Sequence, residues 1–141
     1  MSIPKKLQWS FCHTQGQLFQ LSAERGYDSE MFIKGYMHSS AAKDFDKEFH
    51  HVQWAGKAYI MDRMEKENSE SILKNGNVFD AEMLYWIGYI YRYWQTITGE
   101  ESSKIYEQAD CKTMQNAYLS YYTLSPETVI EKLFKKRGEE I

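Results

Sequence analysis

The stretch from Met83 to Ile97 constrains the fold more than any other part of the chain. Drawn as a helix it is apolar or aromatic around most of its circumference, which is typical of a helix buried on several sides. Asp80 stands where an N-cap residue belongs, and Thr98-Gly99 follows where a helix ends. We therefore predict a buried, aromatic-rich central helix. Its core-facing residues are expected to be Trp86, Ile87, Ile90 and Trp94.

Similar patterns of caps and apolar spacing predict helices along the rest of the chain. The first is expected from about Gln8 to Glu24, with one buried face that carries Trp9, Cys12, Gly16 and Phe19. A later one is expected over 53–68, with Trp54, Ala58 and Met61 on its buried side. Strand signals are almost absent. The fold class is therefore predicted to be all-α: a compact single-domain bundle of about six to seven helices over residues 1–141, with 1–6 and 136–141 frayed.

The composition limits the kinds of function. The net charge of −3 argues against broad attraction to nucleic acid. There is no apolar run of transmembrane length and no secretory pattern at residues 1–20, so we expect a cytoplasmic protein that does not enter a membrane, with free thiols at Cys12 and Cys111. The sequence contains eleven tyrosines, more than the core of a 141-residue domain can hold. Exposed tyrosine is typical of protein interfaces.

Cys12 and His13 are the first pair with catalytic chemistry. Adjacent residues of a helix point about 100° apart, so these two side chains do not form a nucleophile–base pair with each other. Cys12 lies on the apolar stripe of its helix, where a cysteine usually acts as a small buried apolar residue. We predict no catalytic residue here, and a non-enzymatic protein is favoured over an enzyme.

Asp46 and His50 are four residues apart, with Glu48 and His51 beside them. Two ligands at this spacing can begin a metal site, but no second pair of the HExxH or CxxC kind stands elsewhere in the sequence. We interpret Asp46 and His50 as a solvent-exposed ion pair on a helix and predict neither a metal nor a cofactor.

Arg92 stands among tyrosines of the central helix. Three of them share its side of the helix because they are spaced by three or four residues: Tyr85, Tyr89 and Tyr93. This tyrosine–arginine strip has the chemistry of a partner-binding surface. The alternative is that the strip packs against the helix over 111–122, with Arg92 neutralised by an acid such as Glu82 or Glu107.

The segment 102–121 has the outline of a helix-turn-helix, with its junction at Ala109-Asp110. In a DNA-binding regulator, Lys112, Gln115 and Asn116 would contact the bases. However, the first helix and its approach carry acids, Glu100, Glu101 and Glu107, and DNA binding needs basic residues there. DNA binding is therefore the alternative to protein binding.

The segment from Tyr85 to Trp94, YWIGYIYRYW, resembles a family of small uncharacterised bacterial proteins. Further stretches match the same pattern: Thr98-Gly99, 102–109, 114–118, Ser125-Pro126, Trp9-Ser10-Phe11, Gly26-Tyr27 and Phe32. The resemblance covers most of the chain and is stronger in its C-terminal half. It implies that this chain is encoded beside an ADP-ribosyltransferase-like protein, in an arrangement like a toxin–antitoxin module. The resemblance thus implies an antitoxin-like or accessory protein whose partner is another protein, an ADP-ribosyltransferase-like toxin.

Overall fold

The computed structural model describes residues 5–47 and 55–139, and the side chains of 7–47 and 55–134. Over these residues the chain is helical and contains no β-strand, which confirms the all-α class. The α-helices are α1 (Lys5–Glu24), α2 (Ser29–Met37), α3 (Ser40–Asp46), α4 (Lys57–Glu67), α5 (Ala81–Thr98), α6 (Ser102–Gln108), α7 (Cys111–Tyr121) and α8 (Pro126–Glu139). A 3₁₀ turn over Ser69–Ser71 joins α4 to the loop before α5. The described part therefore has eight α-helices, which is more than the six to seven predicted, packed into one compact domain.

Local capping explains where the helices begin. The carboxylates of Asp28, Asp80 and Asp110 accept hydrogen bonds from backbone N–H groups in the first turns of α2, α5 and α7. Gly99 ends α5 in the left-handed conformation, with φ of 75°, which glycine adopts without strain. The predicted frayed ends fall partly outside the described residues, and helix is assigned to 5–6 and 136–139.

The core is built on a pair of helices, α1 and α5, which make the most extensive contact in the molecule. The sequence predicted one central helix buried on several sides, with four named core residues. The structure corrects both the extent of its burial and one of those residues. One long side of α5 is covered by α1, and the outer side is only partly covered. Ile87, Ile90 and Trp94 are buried as predicted, whereas Trp86 is partly exposed.

Two other predicted faces need correction. In α1, Trp9 is 54% exposed because the buried stripe is centred on Gln15 and Phe19 and reaches Trp9 only at its edge. Gln15 is polar, and the apolar pattern alone gave no reason to place it inside. In α4, Met61 is buried but Ala58 is exposed, and Trp54 lies outside the described residues.

Within residues 5–47 and 55–139, none of the helices combines the length and the apolar character that crossing a bilayer requires.

Candidate protein-interaction surface

The predicted tyrosine–arginine strip is divided between the interior and the surface. Arg92 and Tyr93 are buried, with exposed fractions of 1% and 8%. The Tyr93 hydroxyl donates a hydrogen bond to the carboxylate of Glu127, at the start of α8. Tyr85 and Tyr89 are half-buried. Of the four candidate partner-binding residues, only Tyr85 and Tyr89 therefore lie where another protein can reach them.

Arg92 lies at the centre of a buried polar network. Its Nη1 donates to the carboxylate of Asp46 at 2.7 Å, and its Nη2 and Nε donate to Gln15 Oε1 at 2.7 and 3.1 Å. The hydroxyl of Tyr36 donates to the same Gln15 oxygen at 2.7 Å. The guanidinium carbon lies 4.0 Å from the centre of the Phe45 ring, so a cation–π contact is added to the hydrogen bonds. The network joins α1, α2, α3 and α5.

The acid that neutralises Arg92 is Asp46, so the prediction of Glu82 or Glu107 is wrong. Both glutamates are exposed, whereas the side chain of Asp46 is 8% exposed and lies 2.7 Å from Arg92 Nη1. Burial alone would lower the pKa of the Arg92 guanidinium, but Asp46 and Tyr36 together outweigh that effect, so the pKa is raised. For Tyr36, burial is the largest effect and raises the pKa to about 12, whereas the charge of Arg92 acts in the opposite direction.

Asp46 is not the exposed helix partner that the sequence predicts. Its carboxylate also accepts hydrogen bonds from the backbone N–H and the hydroxyl of Ser102, at 2.8 and 2.7 Å, and its side chain is 8% exposed. Asp46 therefore connects α3 to α5 and to the start of α6. Glu48, His50 and His51 lie outside the described residues. Within the described residues, no three metal-binding side chains come together.

Cys12 and His13 diverge, as their adjacency on α1 predicts. Cys12 is buried, and burial raises the pKa of its thiol to about 12, so the thiol is protonated near neutral pH. His13 is exposed, and its Nδ1 shares a hydrogen bond with the hydroxyl of Tyr85 at 2.6 Å. This geometry places His13 beside Tyr85 of α5, so His13 does not act as a base for Cys12.

The helix-turn-helix outline has a counterpart in α6 and α7. Lys112 and Asn116 are exposed on α7, and Gln115 is half-buried. However, Leu119 in the last turn of α7 is 74% exposed, and Tyr122, directly after the helix, is 58% exposed. The outer side of α7 is therefore more aromatic and apolar than basic.

Aromatic side chains on α5, on α7 and next to the end of α7 form two groups of contacting rings, which we together call the aromatic face. Its members are Tyr85, Trp86, Tyr89, Tyr118 and Tyr122. Ring centres are 6.0 Å apart for Tyr85 and Tyr89, 5.5 Å for Trp86 and Tyr118, and 5.3 Å for Tyr118 and Tyr122. Tyr85 and Tyr89 are four residues apart and share one side of α5, whereas Trp86 directly follows Tyr85 and lies about 100° further round the helix, where it contacts Tyr118.

The aromatic face has an apolar and polar border. On α1, His13 contacts Tyr85, and the exposed Trp9 lies one turn before His13. On α7, Leu119 lies between Tyr118 and Tyr122 in the sequence and is largely exposed. Tyrosine and tryptophan rings can be exposed before binding and still gain from burial in a complex. The sequence pointed to Tyr85 and Tyr89, but the contribution of α7 required the tertiary contact between Trp86 and Tyr118.

Comparison with known proteins gave no match to a family model, a curated protein or a solved structure.

Proposed function

We propose that this chain is a cytoplasmic, non-enzymatic protein-binding module that contacts its partner through the aromatic face. The observation that carries the proposal is the contact between Trp86 of α5 and Tyr118 of α7, together with the partly exposed Tyr85–Tyr89 pair on α5. Tyrosine and tryptophan are the residues most enriched at the centres of protein interfaces. The buried cysteines supply no reactive thiol that would favour an enzyme.

The resemblance in the segment Tyr85–Trp94 extends this proposal to a class of partner. We propose an antitoxin-like or accessory role, in which the chain binds and neutralises an ADP-ribosyltransferase-like toxin encoded beside it. The support is the sequence pattern, and the same segment contributes Tyr85, Trp86 and Tyr89 to the aromatic face.

The proposal is tested by co-purification with the tagged products of neighbouring genes. Tyr89→Ala removes a ring from α5, and Tyr122→Ala removes the ring that follows the last residue of α7. Each should weaken the complex by about 2 kcal/mol or more, the scale of an interface hot spot. Tyr122 is 58% exposed, so its removal should leave the melting temperature nearly unchanged.

Tyr59→Ala is the matched control, because Tyr59 is 37% exposed on α4 and belongs to another part of the surface. It should leave the complex intact. If Tyr122→Ala and Tyr59→Ala bind a neighbouring protein equally well, the aromatic face is not the interface. If the proteins encoded nearby do not co-purify with the parent chain either, the antitoxin-like role fails.

DNA binding through α6 and α7 is the alternative function. The observation that favours it is the exposure of Lys112 and Asn116 on the second helix of the pair. Against it stand Glu101 and Glu107, which are exposed around the first helix and would repel phosphate. An electrophoretic mobility shift of the chain's own promoter DNA, lost in Lys112→Ala, would support this alternative over the protein-binding module.

A further inference from the structure

We propose that the partner segment that binds the aromatic face is basic: a stretch of protein whose Lys or Arg side chains lie over the exposed rings and meet acids at the border of the face. This inference rests on the proposed protein-binding function and specifies the chemistry of the partner. Its grounds are the placement of acids around the face and the kind of contact that cations already make with aromatic rings elsewhere in the molecule.

Acids stand at the Trp86–Tyr118 end of the face. Glu82 lies four residues before Trp86, so the two side chains are neighbours on the surface of α5. Glu82 is exposed and forms no ion pair with any residue that the structure describes. Together with burial, the nearby charges of Glu82 and Asp80 raise the pKa of Tyr118. A negative potential therefore reaches the rings of the face.

Another acid stands at the opposite end. The carboxylate of Glu127 accepts the hydrogen bond of Tyr93, whose ring stacks on Tyr89 with centres 6.5 Å apart. Arg92, the cation that the sequence placed within this strip, points into the core and is neutralised by Asp46. The exposed rings are thus bordered by acids at both ends.

A cation gains from such a surface in two ways. It is attracted by the face of a tyrosine or tryptophan ring and by a carboxylate close to that ring. The molecule already contains one contact between a cation and a tyrosine ring, in which Lys132 Nζ lies 5.7 Å from the ring centre of Tyr121. A purely apolar partner would cover Glu82 without a counter-charge, and an acidic partner would be repelled.

The test uses three synthetic amphipathic peptides of about five helical turns, built from leucine with lysine, with glutamate or with glutamine. Each is labelled and titrated with the full chain, and affinity is read by fluorescence anisotropy at two salt concentrations. Amide shifts of the isotope-labelled chain show where each peptide binds. The Leu/Lys peptide should bind about tenfold or more tighter than the other two, with its shifts centred on the aromatic face.

Three variants separate a specific site from general attraction to an acidic protein. Tyr122→Ala should weaken the Leu/Lys peptide about tenfold, and Glu82→Gln should weaken it several-fold and reduce its salt dependence. Glu70→Gln is the matched control, because Glu70 is exposed in the 3₁₀ turn between α4 and α5. It should leave the affinity unchanged.

The outcomes distinguish this inference from the function on which it rests. If the Leu/Gln peptide binds the face as tightly as the Leu/Lys peptide, the basic partner is wrong and the protein-binding function stands. Equal effects of Glu82→Gln and Glu70→Gln would also overturn the inference, since the attraction would then be general. If no peptide shifts the face and Tyr122→Ala leaves co-purification unchanged, both proposals fail.

Discussion

Arg92 shows how one buried charge is accommodated in an apolar interior. A guanidinium that is 1% exposed would cost several kcal/mol to bury without partners. Asp46 supplies the counter-charge, and Gln15 accepts hydrogen bonds from two N–H groups of Arg92. The Phe45 ring covers the flat side of the guanidinium. Among the described side chains, no buried nitrogen or oxygen atom lacks a hydrogen-bond partner. Arg92 therefore serves the fold, and we assign it no direct contact with a partner.

Arg92→Ala should lower the free energy of unfolding by about 3–5 kcal/mol, because it leaves Asp46 buried without its cation. Urea denaturation followed by circular dichroism measures this change. Arg25→Ala is the matched control: its ion pair with Glu65 is exposed, with side chains 40% and 31% accessible, and should contribute about 1 kcal/mol or less. Similar midpoints for the two variants would show that the Arg92 network does not stabilise the fold.

At the scale of the helices, the close approach of α1 and α5 depends on two glycines. A Cβ at Gly88 would lie 2.7 Å from the backbone oxygen of Gln15, and one at Gly16 would lie 2.7 Å from the Tyr85 ring. The helices can approach this closely only where a side chain is missing. Gln15 uses the same approach, since its Nε2 donates to the Gly88 carbonyl at 2.9 Å.

Gly88→Ala should therefore destabilise the protein by about 1–3 kcal/mol, because the backbone of α1 must move away from α5. In an open helix the same change would stabilise by about 1 kcal/mol, so the sign itself is informative. Thermal unfolding of Gly88→Ala beside Ser10→Ala, an exposed position of α1, provides the measurement. A melting temperature for Gly88→Ala at or above that of the parent would contradict the packing described here.

At the scale of the whole molecule, the core holds several groups that ionise only at high pH. Burial raises the pKa values of Cys12, Cys111 and Tyr36 to about 12 each. In the unfolded chain these groups lose their protons at lower pH, so above about pH 9 the folded state binds more protons than the unfolded state. Their contribution to stability is complete below that pH and decreases as the pH rises towards 12.

We expect the free energy of unfolding to fall steadily from pH 9 to pH 11. Its slope against pH should approach the value for about one proton lost on unfolding by each group. Urea denaturation at a series of pH values measures it. Cys12→Ala removes one of the three groups and should make the decline shallower. In the same experiments the native thiols should react with a disulfide reagent much more slowly than the urea-unfolded chain. A flat profile over this range would rule out the burial of these groups.

The sequence alone determined the features that depend on neighbours along the chain. The all-α class follows from the helical spacing of apolar residues, and the starts of α2, α5 and α7 follow from Asp28, Asp80 and Asp110. The end of α5 follows from Gly99. These features were predictable because a cap bonds to backbone groups only two or three residues away, so its chemistry is fixed locally.

Only the tertiary structure decided which distant side chains meet. The pairing of Arg92 with Asp46 and Gln15 joins positions 46 and 77 residues apart, and the aromatic face needs α7 beside α5. The sequence indicated that Arg92, if buried, needed an acidic partner, but not which one, and it gave no sign that Gln15 is buried. Sequence spacing fixes the side of a helix on which a residue lies, whereas packing decides what covers that side. The same reason explains why Trp9 and Trp86, both assigned to the core from spacing, lie at its edge.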